Sequence, residues 1–235
     1  MLIQSKLPQV GTTIFSVMSK LAAEHDAINL SQGFPDFQPP SALVGKVTQA
    51  LAEGRNQYAP MIGLESLREA ISGLIASCYA VSIDPVTDIT ITSGATEALF
   101  AAIQATVRAG DEVIVFDPSY DSFVPAIELA GGTAVRVPLH PRSFSVDWEQ
   151  FAGALSQRTR LVIINSPHNP TGTMLSGKDL DCLAALIRDL DCFVLSDEVY
   201  EHITFDGRRH QTVIAHGELA ERSFAVSSFG KTFHA

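Results

Sequence analysis

The sequence predicts an α/β fold, a mostly parallel sheet with helices on both faces. Past Asp84-Pro85, short β-rich runs at 89–92, 112–116, 134–138, 161–165, 193–197 and 224–228 alternate with helical periodicity at 96–108, 122–130, 147–155 and 176–190. The last helical stretch opens with Ser176-x-x-Asp179, a capping-box pattern. Strands separated by helices need crossover connections, and these place successive strands parallel.

The first forty residues read differently. Ile28-Asn29-Leu30-Ser31-Gln32-Gly33-Phe34-Pro35, followed by Pro39-Pro40, is broken by glycine and proline and holds no long regular element. From Ser41 a helix is predicted on Leu43, Val47, Ala50 and Leu51, and a second on Leu64, Leu67, Ile71, Leu74, Ile75 and Cys78.

Composition narrows the function. The chain has 235 residues, 46% hydrophobic and 18% charged, which excludes a disordered chain. A net charge of −10 repels nucleic acid and anionic membrane, so neither is an expected partner. No apolar stretch approaches the roughly 18 residues of a membrane span, and residues 1–8 lead into no secretory h-region. Cys78, Cys182 and Cys192 are an odd number without a C-x-x-C pair, which argues against a disulfide framework and a zinc site. A cytoplasmic protein without a metal is expected.

In parallel sheets, ligands bind at the carboxyl ends of the strands. Ser93-Gly94-Ala95-Thr96-Glu97 leads into a helix N-terminus, a cradle for phosphate that lacks the glycine spacing of a dinucleotide site. Asn165-Ser166-Pro167-His168-Asn169-Pro170-Thr171-Gly172 is a stiff loop that presents Asn165 and Asn169. Asp197 ends an apolar strand, where a carboxylate is costly unless it meets a cation, and Tyr200 follows three positions on. Lys231 stands just past the last strand among small hydroxyl residues. Each feature alone has a bland reading: a turn, a rigid loop, a structural ion pair, a solvated lysine. Together they describe one ligand. Pyridoxal 5′-phosphate needs a lysine Schiff base, an acidic partner for its ring nitrogen, donors for its ring oxygen and a phosphate cradle.

Over essentially its whole length the chain resembles class I/II (fold type I) pyridoxal-phosphate-dependent aminotransferases. Ser227-Ser228-Phe229-Gly230-Lys231-Thr232 and Ser196-Asp197-Glu198-Val199-Tyr200 carry the likeness to the superfamily. Ser31-Gln32-Gly33-Phe34-Pro35-Asp36-Phe37 and Asn56-Gln57-Tyr58-Ala59-Pro60-Met61 resemble the methionine aminotransferase subgroup, with kynurenine aminotransferase/cysteine-conjugate β-lyase enzymes slightly less close. The resemblance implies that Lys231 is the catalytic Schiff-base lysine and that Asp197 partners the pyridinium nitrogen. It also implies that Asn169 and Tyr200 donate to the ring hydroxyl and that Asn165 lines the pocket. Ala95, Thr96 and Ser228 would hold the phosphate, and Tyr120 would stack on the ring. Gly33 and Asn169 would meet the substrate, and Tyr58 would reach the cofactor of a second subunit in a homodimer. The implied activity is ping-pong transfer of an amino group from an amino acid to a 2-oxo acid. A β-lyase on the same cofactor and a non-catalytic remnant of the fold are the alternatives.

The likeness stops at Ala235, four residues past Lys231. Family members continue into a small domain with a substrate-binding arginine, and into an antiparallel strand lying between the strands at 89–92 and 224–228. The chain is therefore expected to be an N-terminal portion: residues 1–40 an arm with part of the small domain, and 41–235 the incomplete cofactor-binding large domain. Alone it is expected to be insoluble or molten, and inactive.

Overall fold

The computed structural model describes residues 4–33, 35 and 37–234. Phe34 and Asp36 of the N-terminal motif lie outside the described residues. Three helices come first: α1 (Ile14–Glu24), α2 (Ser41–Ala52) and α3 (Glu65–Tyr79). Then α4 (Ala95–Thr106), α5 (Phe123–Leu129), α6 (Trp148–Ala154) and α7 (Gly177–Ile187) alternate with β1 (Glu112–Asp117), β2 (Thr133–Pro138), β3 (Thr159–Asn165) and β4 (Phe193–Asp197). A 3-10 turn (Val213–Ala215), α8 (Gly217–Ala220), β5 (Ser223–Val226) and α9 (Phe229–Thr232) complete the order.

The five strands pair in the order β2-β1-β3-β4-β5, and every pairing is parallel. Because side chains alternate across a strand, each strand feeds two cores. Ile114, Phe116, Val162, Ile164 and Val194 point to one face, against Phe151 of α6 and Leu180, Leu183 and Ile187 of α7. Val113, Val115, Leu161, Ile163 and Leu195 point to the other, against Leu99 and Ile103 of α4 and Phe123 and Ile127 of α5. This is the helix-covered parallel sheet that the alternating pattern predicts. Ile103, Ile127, Leu183 and Ile187 are fully buried, so truncating any of them to alanine costs about 2–5 kcal/mol.

Local chemistry sets the helix starts. Ser176 and Asp179 form the reciprocal capping box at α7, and Asp179 also accepts the Trp148 indole N–H at 3.0 Å, tying α6 to α7. Asp147 caps α6 through the Glu149 and Gln150 amides. Gly94, at φ +83°, turns the chain into α4 from a backbone region that a side chain disfavours.

Two regions depart from the sequence-based expectation. Residues 89–92 are not a strand: among the described residues no neighbouring strand pairs with them, and Ile91 N–H bonds instead to the Ile62 carbonyl at 3.1 Å. The β-branched run buries Ile89, yet a strand exists only with a ladder partner. In the N-terminal region, α1 forms where no helix was expected, with Thr13 as its N-cap and its apolar residues all outside the buried class.

No helix among the described residues is long and apolar enough to cross a membrane.

Candidate active site

The carboxyl ends of β3 and β4 and the residues just past β5 bring the predicted groups together. Asn165 and Asp197 end their strands as register partners. The Asn165 side-chain amide donates to the Asp197 carbonyl oxygen at 2.8 Å, and its own carbonyl accepts the Asn169 backbone N–H at 2.7 Å. Asn165 therefore locks the 165–169 loop onto the end of β4. The Ser166–Pro167 and Asn169–Pro170 peptide bonds in that loop are cis.

The Asp197 side chain is buried, and its Oδ1 accepts the Val199 N–H at 3.3 Å. It forms no ion pair among the described residues. Burial pushes its pKa up to about 6; the Val199 N–H and Lys231 oppose the rise, and the neighbouring Glu198 carboxylate adds to it. A cation brought to this carboxylate would relieve a real cost.

Past β5, Ser228 caps α9 by accepting the Gly230 N–H at 3.2 Å, and α9 carries Lys231. The Lys231 amine lies 5.5 Å from the centre of the Tyr200 ring, a cation–π approach that joins the β4 and β5 ends. Ala95 and Thr96 open α4, whose first-turn N–H groups form the positive end of a twelve-residue helix packed against β4 and β5. Tyr120 stands edge-on to Phe123, ring centres 5.7 Å apart, in the loop after β1. Gly33 and Tyr58 are not drawn into this cluster: both are exposed, Tyr58 completely.

A buried second layer escaped the sequence reading. Glu198 accepts from Ser196 Oγ at 2.8 Å and from the Val213 N–H at 3.1 Å, and its other oxygen lies 2.8 Å from His210 Nε2. His168 Nδ1 lies 2.8 Å from Thr171 Oγ1, and burial lowers the pKa of its ring against a hydrogen bond to the Pro118 backbone. The available signal was the density of acids after an apolar strand, since Asp197, Glu198 and Glu201 cannot all be buried without donors.

Two cavities flank the sheet. One of about 220 Å³ touches Asn165, His168 and Phe123 at the carboxyl ends of the strands. The larger, about 290 Å³, lies at the opposite ends beside Arg108, Arg158 and Arg160, whose guanidinium groups already serve backbone carbonyls, Glu112 and Asp191. Among the described residues no group of three His, Cys, Asp or Glu side chains could hold a metal.

The family model for aminotransferase class I and II matches residues 25–235. The methionine aminotransferase of Escherichia coli K12 is 57% identical over 231 residues, covering 98% of this chain and 60% of the relative. Human kynurenine–oxoglutarate transaminase 1 is 35% identical, over 92% of this chain and 54% of the relative. The crystal structure of YbdL from Escherichia coli, described as a methionine aminotransferase, superposes with a TM-score of 0.95 at 55% identity, covering all of this chain and 61% of that one. The chain thus spans about 60% of the length of these relatives. On the family model, the strand-end geometry and this superposition together, the chain belongs to the class I and II aminotransferases.

Proposed function

We propose that the chain forms the cofactor-binding part of an aminotransferase that moves an amino group from an amino acid of the methionine or aromatic type to a 2-oxo acid. Class I and II aminotransferases use pyridoxal 5′-phosphate. The donor set here fits that group. The observation that carries the reading is Asp197, a buried carboxylate without an ion pair among the described residues, on the same strand-end cluster as Lys231.

When bound, pyridoxal phosphate supplies an aldehyde carbon that captures amines and a ring that takes up the electron pair freed at the substrate Cα. Lys231 is the residue to hold it covalently; once released, its Nζ is the general base that takes the Cα proton. Asp197 keeps the proton on the ring nitrogen. Asn169 and Tyr200 donate to the ring oxygen, Asn165 lines the pocket, and Tyr120 stacks on the ring. The amides of Ala95 and Thr96, with the Ser228 hydroxyl, hold the phosphate at the positive end of α4. Gly33 and Asn169 meet the substrate. The working form in this reading is a homodimer, and the full exposure of Tyr58 suits a residue that reaches the site of the second subunit. Residues 41–235 constitute the incomplete large domain and 1–40 an arm with part of the small one. The free thiols of Cys78, Cys182 and Cys192 suit the reducing cytoplasm.

Borohydride reduction in the presence of pyridoxal phosphate, followed by peptide mapping, tests this reading. A pyridoxyl label on Lys231 is expected. A label on Lys46 or Lys178 in its place overturns the assignment.

A further inference from the structure

Behind Tyr200 the polar side chains form a bridge that the proposed chemistry does not use. Glu201 sits in the turn after β4 with its side chain only 12% exposed. One carboxylate oxygen accepts the Tyr79 hydroxyl and the other accepts the Ser227 hydroxyl. No lysine or arginine pairs with it among the described residues; the nearest basic atom is His202 Nε2, 3.9 Å from Oε1. A carboxylate is an acceptor only, and its two oxygens can serve two hydroxyls that approach from opposite sides.

Both arms lead to elements of the site. Tyr79 closes α3, and among the described residues its hydroxyl makes the side-chain hydrogen bond by which α3 reaches past its own neighbourhood to the sheet; Arg68 and Ser72 bond only within residues 63–85. Burial, then donation to Glu201, holds the Tyr79 pKa well above the usual phenol value, so this donor keeps its proton. Its ring also stands edge-on to His210, centres 6.1 Å apart. Ser227 immediately precedes Ser228, the cap of the helix that carries Lys231.

We propose that Glu201 is a positioning residue, which by gripping Tyr79 and Ser227 at once fixes the Tyr200 turn against the Ser228–Lys231 turn. The 5.5 Å approach of the Lys231 amine to the Tyr200 ring depends on that grip, because the two residues sit on different strand ends. The role toward the cofactor rests on the reading of Tyr200, Ser228 and Lys231 given under Proposed function. The grip itself is a property of the chain alone.

The test uses the full-length protein with Glu201→Ala, Glu201→Gln, Tyr79→Phe and Ser227→Ala. Backbone amide exchange is followed without cofactor at Ile203, whose N–H is held by the Tyr200 carbonyl at 2.8 Å, and at Gly230, whose N–H is held by Ser228 Oγ at 3.2 Å. Pyridoxal phosphate affinity and the visible circular dichroism of the bound cofactor are then measured. Glu201→Ala should speed exchange at both amides, weaken the cofactor about tenfold and change the dichroism. Glu201→Gln can still accept from one hydroxyl and donate to the other, so it should restore most of all three. Tyr79→Phe and Ser227→Ala should each give a partial loss, and they decide the matter if Glu201→Ala does not fold. Wild-type exchange and dichroism in Glu201→Ala, or a lowered melting temperature alone, overturns the proposal. Failure to label Lys231 with borohydride would remove the cofactor reading, while the exchange data would still judge the grip.

Discussion

The Asn165 side chain spans the last rung between β3 and β4, donating to the Asp197 carbonyl at 2.8 Å while it accepts the Asn169 amide at 2.7 Å. One buried amide thereby sets the spacing between two residues assigned to different polar atoms of the cofactor ring. Asn165→Ala leaves the Asn169 N–H and one acceptor lone pair unmatched, a loss of about 1–3 kcal/mol in urea unfolding. Asn165→Asp should be worse. It keeps an acceptor for Asn169 but brings a carboxylate oxygen against the Asp197 carbonyl. Wild-type stability in Asn165→Asp would show that the Asn165 donor contributes nothing.

Asp197 gives a pH signature. Its folded pKa of about 6 stands above the ordinary value of 3.8, so the native state binds this proton more tightly than the unfolded chain does. The resulting stability is complete below the ordinary value and is lost as pH rises through about 6. About two pKa units correspond to roughly 3 kcal/mol. Without cofactor, wild-type unfolding free energy should therefore fall relative to Asp197→Asn between about pH 4 and 6. Parallel pH curves for the two proteins would contradict the burial account. With cofactor, Asp197→Asn should lower turnover far more than occupancy, by about 3 kcal/mol in the barrier.

The sheet and its helices were legible because both periods are local. Val113 to Phe116 and Leu161 to Ile164 are continuous apolar runs, and Ser176-x-x-Asp179 announces α7 four residues at a time. Residues 89–92, Ile-Thr-Ile-Thr, have the β-branched, alternating character of a strand, yet whether they pair depends on what lies beside them in space, which no local pattern encodes. α1 was within reach: Ile14, Val17, Met18 and Leu21 keep helical spacing, and the glycine and proline breaks lie outside them. Of the candidate site, the gathering of Asp197 and Lys231 at neighbouring strand ends was legible, because Asp197 ends one strand and Lys231 closely follows another in the sequence. The Glu198–His210 and Tyr79–Glu201 pairs join residues 12 and 122 positions apart, so only the folded chain could show them.

Tyr58 supplies a test of subunit sharing. If its side chain completes the partner's site, Tyr58→Ala and Lys231→Ala chains should complement when co-expressed at full length. Each mixed dimer then holds one site with both defects and one with neither. Random pairing should recover up to about a quarter of wild-type activity, since half of the dimers are mixed and half of their sites intact. Recovery no greater than the sum of the two variants made separately would place Tyr58 outside the site.

Gly63 governs the lead-in to the phosphate cradle. It has φ +93°, and a methyl group built on it falls 2.6 Å from Ile91 Cβ, closer than carbon atoms can approach. With no ladder partner among the described residues, the 89–92 segment is held by the Ile91 N–H bond to Ile62 at 3.1 Å, with Ile91 seated directly over Gly63. Gly63→Ala must therefore push Ile91 away as well as strain the backbone, and Ser93 to Thr96 follow directly on the displaced segment. The strain alone is worth about 1–2 kcal/mol; the displacement adds to it and should weaken phosphate and pyridoxal phosphate together. Ile91→Gly in the same chain removes the Cβ that the new methyl meets but cannot relieve the positive φ. The double variant should thus regain cofactor affinity while staying less stable than Ile91→Gly alone by about the strain energy. Calorimetry and cofactor titration on wild type, the two single variants and the double variant separate the two effects, and equal stability of the double variant and Ile91→Gly would show that φ carries no strain there.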